Sequence, residues 1–297
     1  MRLLAPLLCA AAVIAGGDAK ADIDNLFHHG HKHGKAEKED AVANADLEAA
    51  ELFAYSGTKG PHAWPGTCAS GLAQSPINIV HSTLAPKDGN AALPPLAIRY
   101  EDSKVRLHNN GHVVELLYDA GSVLSLGDEE YALEKVVFHA PAEHRMRDLR
   151  FPMEIQLVHS KIAKADAAEK SADADKSADA AIVSVLITEG KTASVLSGFW
   201  SKLPTEVGQT VNLDDITFNI EDILPRKRTY IAYDGSLTAP PCTEGVHWFI
   251  LNNFGHLSPA QISVYQELVG ANARPAQPLN DRAVVASASE IGDIQEK

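Results

Sequence analysis

The amino-acid sequence predicts a mostly β fold. In the stretch 133–160, apolar and polar residues alternate on both sides of a charged turn at 145–150, which is typical of two paired strands. Similar alternation marks 96–100 and 113–117, and 182–187 is a short apolar run that suits a buried strand. A domain dominated by β-strands accounts for all three observations.

Length and charge bound the class of protein. The chain has 297 residues, of which 45% are hydrophobic, and this suits one large domain with short extra segments. Its formal net charge of −13 argues against binding to nucleic acid or to an anionic membrane surface, since either partner would require a basic patch. No apolar run in the body of the chain is long enough to span a bilayer, so we expect no transmembrane segment.

The first 21 residues are predicted to be a secretory signal peptide. Arg2 precedes an apolar run at 3–15, and the triplet at 19–21, Ala-Lys-Ala, suits cleavage. The run is short and no amphipathic segment follows it, which disfavours the alternative of a buried N-terminal helix. The sequence therefore predicts a secreted, periplasmic or lumenal protein.

Residues 22–51 are predicted to form a disordered, charged arm. Its histidines are packed into the segment HHGHKHGK and comprise His28, His29, His31 and His33. Short histidine tracts can bind Zn²⁺, Cu²⁺ or Ni²⁺ weakly through neutral imidazoles. The alternative is a solvated leader without metal, which the lack of apolar periodicity before Leu47 favours.

We expect the functional site on one face of the hairpin predicted at 133–160. Side chains alternate between the two faces of a strand, so every second residue shares a face. The two sets are Lys135, Val137 and His139 on the first strand, and Glu154, Gln156 and Val158 on the second.

Two motifs in this hairpin resemble the metal-site hairpin of the α-carbonic anhydrases. They are FHAPAEH at 138–144 and EIQLVH at 154–159. The resemblance implies three zinc-binding imidazoles. His139 occupies the second of these positions, whereas Val137 and Gln156 occupy the first and the third. A catalytic zinc site needs three protein ligands and an open position for water. Valine has no donor atom, so the resemblance implies a retained scaffold with a degenerate metal centre.

The resemblance extends from about Tyr55 to Arg282. QSPINI at 74–79, GSLTAPPCTEGVHW at 235–248 and NARPAQPLNDR at 272–282 resemble further family motifs. It implies a single domain at 52–285, with a large twisted, mainly antiparallel central sheet and short peripheral helices. The alanine-rich segment 161–181 is expected to be a low-complexity insertion loop, and 286–297 an acidic tail.

The resemblance also implies roles around the metal position. His112 falls on the proton shuttle, and Glu143 falls on the glutamate that orients a threonine hydroxyl, here that of Thr238. The implied buried network comprises His144, Glu154 and Tyr233. Two alternatives stay open: the buried groups are retained only because they satisfy one another, and His112 is idle because no metal-bound water supplies a proton.

The resemblance also implies a hydrophobic pocket and a disulfide. The hydrophobic carbon dioxide pocket of the family would fall on Val158, Ile182, Leu237, Val246 and Trp248, although an ordinary buried β core explains the same residues. Cys68 and Cys242 are expected to pair, as the equivalent cysteines do in secreted members; two unpaired buried thiols are the alternative.

Local patterns predict several elements outside the hairpin. The Asn110-Gly111 pair favours a tight turn with positive φ. Ser258 followed by Pro259 predicts the cap and the first residue of a helix over 258–268. A helical stretch is expected after Leu196, and 211–216 is typical of a strand entry.

These observations favour an exported family member that acts as a binding module without zinc-dependent hydration of CO₂. That interpretation implies no resident cofactor, and a partner that is an unknown protein or an anionic small molecule. The alternative is an active or remodelled metal-dependent carbonic anhydrase that converts CO₂ and water to bicarbonate and a proton, with zinc as the cofactor. A metal-collecting protein that works through the histidine tract is a third class.

Overall fold

The computed structural model describes residues 45–48, 50–80, 84–85, 93, 95–163 and 179–287. The predicted signal peptide, the histidine tract, most of the predicted insertion and nearly all of the predicted tail lie outside these residues. Within them, no helix is long and apolar enough to cross a membrane.

A large mixed sheet dominates the described part of the chain, which confirms the predicted fold class. Thirteen strands belong to it, and its main path runs in the order β12-β4-β5-β7-β10-β11-β14-β13-β16-β2. Most neighbours are antiparallel, whereas β11 pairs with β14 and β15 in parallel and β16 pairs with β2 in parallel. The strands are β1 (Asn78–Ile79), β2 (Leu84–Ala85), β3 (Ala97–Arg99), β4 (Ser103–Asn109), β5 (Val114–Leu117), β6 (Val123–Leu126), β7 (Glu129–His139), β8 (Arg145–Met146), β9 (Leu149–Arg150), β10 (Met153–Lys161), β11 (Ala180–Glu189), β12 (Thr210–Phe218), β13 (Tyr230–Ser236), β14 (Glu244–Leu251), β15 (Gly255–Leu257) and β16 (Val284–Ala286).

The predicted hairpin forms the centre of the sheet. Strands β7 and β10 pair antiparallel along most of their length, with Glu154 opposite His139 and Gln156 opposite Val137. The connection differs from the simple charged turn that we expected, since β8 and β9 form a small hairpin of their own within it. This hairpin pairs in parallel with β1, which follows the QSP segment. The connection is therefore tied to the body of the domain.

Two other segments differ in extent from the expectation. The strand predicted at 96–100 is the short β3, which pairs with β6. Strand β5 pairs with β4 on one side and with β7 on the other, and β4 at 103–109 was not singled out, although its residues alternate. The insertion predicted at 161–181 is narrower, since Lys161 ends β10 and β11 begins at Ala180.

Helices are few and short, as expected. Besides the helical residues 45–48 and 50–52, the described part of the chain has α1 (Thr67–Ser70), α2 (Ser194–Ser197) and α3 (Pro259–Val269), with 3₁₀ turns at Gly57–Lys59, Pro61–Ala63, Trp200–Lys202 and Ile220–Ile223. The predicted cap of α3 is confirmed: the Ser258 side chain accepts from the backbone N–H of Gln261, and the Gln261 side chain accepts from the backbone N–H of Ser258.

The end of the predicted arm differs from a disordered segment. Residues 45–48 and 50–52 are helical, and the carboxylate of Asp46 lies 2.8 Å from Nε2 of His108 on β4. A Cβ added at Gly111 would lie only 2.5 Å from the Ala50 side chain, so the two segments are in close contact. The sequence has no apolar periodicity here, and tertiary contacts hold the segment in place.

The expected disulfide is present in the structure. Cys68 and Cys242 are bonded, 174 residues apart in sequence, and their sulfurs pack beside Trp64. The buried guanidinium of Arg274 donates to the Cys68 carbonyl and to the Gln74 side chain. Loop entropy gives such a long cross-link about 5 kcal/mol of stabilisation in the chain-entropy model.

Candidate active site

Three strands at the centre of the sheet place the predicted site residues side by side. Glu115 on β5 lies opposite Val137 on β7, which lies opposite Gln156 on β10. Directly opposed residues of antiparallel strands share a face of the sheet. His139 shares the face of Val137, two residues further along β7, and lies opposite Glu154. The register therefore brings all three implied metal positions to one buried face.

His139 is held by its ring nitrogen Nδ1. That atom lies 2.7 Å from the carbonyl oxygen of Asn272, and because a carbonyl only accepts, Nδ1 carries the proton. The other ring nitrogen, Nε2, lies 3.5 Å from Oε2 of Glu143. The Asn272 side chain also accepts from the backbone N–H of Ala140, which fixes the end of β7. The imidazole is therefore oriented entirely by protein groups.

Gln156 is bonded to carboxylates through its amide nitrogen. Nε2 donates to Oε2 of Glu143 at 2.9 Å and to Oε1 of Glu154 at 3.1 Å. Ionised carboxylates only accept, so the NH₂ end of the amide must face them. The side chain thus serves to satisfy two buried carboxylates.

The predicted buried network is assembled around Glu154. Its Oε2 accepts from the backbone N–H groups of Glu143 and His144, and its Oε1 accepts from Nδ1 of His144 and from the Ser184 hydroxyl. Burial favours the neutral carboxyl, but the charge and hydrogen bonds of His144 outweigh it and lower the pKa of Glu154 to about 2. The carboxylate is therefore kept ionised in a fully buried position.

The network continues from His144 to the QSP segment. Nε2 of His144 lies 2.7 Å from the Tyr233 hydroxyl, which lies 2.9 Å from the Ser75 hydroxyl. The backbone N–H of Ser236 donates to Ser75 in turn. Burial raises the pKa of Tyr233 well above its ordinary value, so the hydroxyl stays protonated. His144, Tyr233 and Ser75 each have a hydrogen-bond partner, as the alternative interpretation of these residues requires.

Glu143 and Thr238 are not joined in the way that the resemblance implies. Oε1 of Glu143 accepts from the backbone N–H of Arg274, and Oε2 accepts from Gln156. Within the described part of the chain, neither oxygen is hydrogen-bonded to the Thr238 hydroxyl. Both oxygens of Glu143 are thus engaged by groups other than Thr238.

His112 lies against aromatic side chains at the edge of this face. Its ring stacks on Phe53 with the centroids 3.6 Å apart, and the edge of Tyr55 meets it at 6.5 Å. Tyr55 also meets the His139 ring edge-on at 6.5 Å. The predicted turn before His112 is present, since Gly111 has a φ of 86°. Phe53 therefore helps to set the position of the His112 ring.

An ion pair lies on the same face, beside Val137. Nζ of Lys135 is 2.8 Å from Oε1 of Glu115, and the Asn110 side chain donates to the same oxygen at 2.9 Å. Lys135 shares the face of Val137 by strand parity. Glu115 lies directly opposite Val137 on β5. Charged groups thus flank the valine where the resemblance would place an imidazole.

The implied carbon dioxide pocket forms part of a hydrophobic cluster. Ile182, Val246 and Trp248 are fully buried in it, and Val158 and Leu237 pack against it while partly exposed. The Trp248 indole donates to the Ser236 carbonyl. These contacts are those of a packed β core, with Val158 and Leu237 at its open side.

Comparisons with known proteins give the family. A family model described as eukaryotic-type carbonic anhydrase matches residues 59–288. The chain belongs to the α-carbonic anhydrase family. A carbonic anhydrase of Neisseria gonorrhoeae is 33% identical over 241 residues, which are 78% of this chain and 87% of the relative.

Solved structures of the α-carbonic anhydrase family are similar to this fold. An α-carbonic anhydrase of Photobacterium profundum superposes with a TM-score of 0.67 at 33% identity, over 78% of this chain and 99% of the other. A crystal structure of dioscorin complexed with ascorbate gives 0.66 at 30% identity, over 79% and 97%.

The donor atoms at the implied metal positions do not fit a zinc ion. His139 offers one imidazole nitrogen, Val137 offers none, and the amide nitrogen of Gln156 is a hydrogen-bond donor committed to carboxylates. Among the described residues, no group of three or more His, Cys, Asp and Glu side chains is arranged to hold a metal ion. The family fold is thus combined with a donor set unlike that of a tetrahedral zinc site.

Sequence reasoning missed several residues that shape this site. Glu115 and Asn110 were not singled out, although a glutamate within the apolar segment VVELL is a signal of a buried polar role. Phe53 and Asp46 were assigned to unrelated segments, because nothing in their local pattern places them beside β4. Their contacts join residues that are far apart in sequence, so only the three-dimensional structure shows them.

Proposed function

We propose that this chain is an exported member of the α-carbonic anhydrase family that does not hydrate CO₂ through zinc and acts by binding a partner. Val137 carries the proposal. It stands between Glu115 and Gln156 at the first implied ligand position, and its side chain has no donor atom. On this alignment two of the three implied imidazoles are absent, and among the described residues His144 and His159, the nearest candidates to replace them, are bound elsewhere.

The other histidines near the site are already engaged. His144 bonds to Glu154 and to Tyr233, and both its ring nitrogens are thereby used. His159 lies on the opposite face of β10 from Gln156, where its two nitrogens contact Tyr100 and the Ala181 carbonyl. Neither can supply a missing ligand without breaking a buried hydrogen bond.

A small anionic molecule is one proposed partner, and a protein is the other. The dioscorin structure that resembles this fold holds ascorbate, which supports a small organic anion. Export is supported by the disulfide between Cys68 and Cys242, because such bonds persist in oxidising compartments.

The alternative function is metal-dependent hydration of CO₂ to bicarbonate and a proton. The bacterial relatives named carbonic anhydrase favour it. It requires a metal bound through His139 with donors that the described residues do not present. Metal collection by His28, His29, His31 and His33 is a separate proposal about residues outside those described.

Zinc content and stopped-flow CO₂ hydration test the proposal together. Both are measured on the full chain and on a matched variant in which the four tract histidines are replaced, H28A/H29A/H31A/H33A. The proposal predicts no stoichiometric zinc in the tract variant and no hydration above the buffer rate in either protein. One zinc per chain in the tract variant, with hydration that His139→Ala abolishes, would establish the enzyme.

A further inference from the structure

The ion pair on the site face has unused hydrogen-bonding capacity. Among the described residues, both donors to Glu115, Nζ of Lys135 and Nδ2 of Asn110, reach the same oxygen, Oε1. Within the described residues, Oε2 of Glu115 accepts from no protein group, although this side chain is only 10% exposed. A carboxylate oxygen has two lone pairs, so a nearly buried acceptor is open to a ligand.

Lys135 provides the matching donor. Its ammonium has three N–H groups, and one of them is used by Glu115. The side chain is 29% exposed, so the remaining N–H groups reach the space in front of the sheet. The open acceptor and the open donors therefore belong to one ion pair, whose Nζ–Oε1 distance is 2.8 Å.

Asn110 fixes this arrangement before any ligand arrives. Its Oδ1 accepts from the backbone N–H groups of His112 and Val113, both at 3.0 Å, so the amide cannot rotate freely. Nδ2 is thereby aimed at Glu115, which in turn is held by two donors. Such preorganisation lowers the entropic cost of binding.

We propose that Glu115 and Lys135 bind adjacent hydroxyl groups of a small polyhydroxylated ligand. One hydroxyl donates to Oε2 of Glu115, and its neighbour accepts from the ammonium of Lys135. The pair is internally neutral, so it recognises the hydroxyls and requires no net charge on the ligand. This inference deepens the proposed function and rests on it, since it names the ligand class of the same site.

The surroundings suit the carbon chain of such a ligand. Val137 lies between Glu115 and Gln156 and is the apolar side chain of this row. The backbones of β5 and β10 are separated by two strand spacings, roughly 10 Å, which accommodates a few carbon atoms. A sugar alcohol or a sugar acid matches these dimensions and this chemistry.

Isothermal titration calorimetry on the full chain tests the proposal with three six-carbon probes. D-sorbitol is neutral and polyhydroxylated, D-gluconate adds a carboxylate to a similar chain, and hexanoate keeps the carboxylate without hydroxyls. The variants are Glu115→Gln and Lys135→Gln. Glu129→Gln is the matched control, since Glu129 pairs with Lys161 on the exposed surface far along β7.

We expect sorbitol and gluconate to bind with dissociation constants near about 1 mM, and hexanoate to bind at least tenfold more weakly. Each site variant should weaken sorbitol binding by about tenfold, because a hydrogen bond to a charged group is lost. Glu129→Gln should leave it unchanged. Circular dichroism confirms folding, and Lys135→Gln alone decides the test if Glu115→Gln does not fold.

Three results would overturn the inference. They are the absence of saturable sorbitol binding up to about 50 mM, sorbitol binding that both site variants leave intact, and gluconate and hexanoate binding equally while sorbitol does not. The last result would mean that Lys135 recognises carboxylates only. Zinc analysis of the same samples is read independently, so zinc-free protein without sorbitol binding would refute this inference and leave the proposed function standing.

Discussion

Two parts of this site, centred on Glu154 and on the row of Val137 and Gln156 two positions further along β10, differ in how their side chains are used. Around Glu154, the network of His144, Tyr233 and Ser75 is complete, and every buried polar group has a partner. At the positions where the family resemblance implies imidazoles, the sequence has Val137 and Gln156. Groups that bond to one another are costly to change, whereas groups that would point at a metal can change without orphaning a partner. A retained network therefore indicates the fold and not the activity.

We expect the largest loss of stability from a substitution at Glu154. Glu154→Gln replaces one acceptor oxygen by an NH₂ group that faces the donors of His144 and Ser184. We expect a loss of about 3–5 kcal/mol in the free energy of unfolding, the usual result of breaking a buried charged pair. Urea denaturation measures it, with Glu134→Gln as the control, since the partly exposed Glu134 accepts only from the Ser160 hydroxyl among the described side chains. A loss similar to the control would show that the network is not structural.

The pH dependence of stability provides a second test, on the other face of β10. Burial lowers the pKa of His159 to about 4, whereas an unfolded histidine titrates near 6.5. The unfolded state therefore binds more protons between these values, and stability falls as the pH drops from 6.5 to 4 by about 3 kcal/mol. Below pH 4 this contribution is lost completely.

His159→Gln serves as the control for that prediction. Its amide can donate to the Ala181 carbonyl and accept from Tyr100 without titrating. Urea midpoints measured from pH 7 to pH 4 should fall less steeply in this variant than in the native chain. Equal slopes would mean that His159 is not buried as a neutral group.

A smaller effect is expected at Gln156. Gln156→Ala removes the amide that donates to Glu143 and Glu154, and we expect a loss of about 1–3 kcal/mol because buried acceptors are left short of a partner. Val137→Ala is the matched variant on the neighbouring strand and should cost less, since it orphans no polar group. Thermal or urea unfolding measures both. A larger loss in the free energy of unfolding for Val137→Ala than for Gln156→Ala would contradict the structural role assigned to the Gln156 hydrogen bonds.

The sequence was sufficient for those features that depend on strand parity and on family motifs. Alternation placed Val137 and His139 on one face, and motif matches indicated the partners of Glu154 and the bond between Cys68 and Cys242. The α3 cap could be predicted because its hydrogen bonds are local.

Features that depend on distant contacts could not be predicted. Asp46 reaches His108, and Phe53 stacks on His112, only because the chain before the domain folds back onto β4. The bond of Gln156 to Glu143 depends on side-chain orientation that no pattern encodes. Local propensity predicts an element, but a partner far away in sequence is set by the packing of the whole sheet.

The most direct test of the central claim restores the missing imidazoles. Val137→His with Gln156→His is made in the H28A/H29A/H31A/H33A background, and zinc per chain is measured by mass spectrometry beside the background protein alone. The account predicts close to one zinc in the double variant and none in the background, because only the variant offers three imidazoles on one face. Stoichiometric zinc in the background protein, or its absence from the double variant, would contradict it.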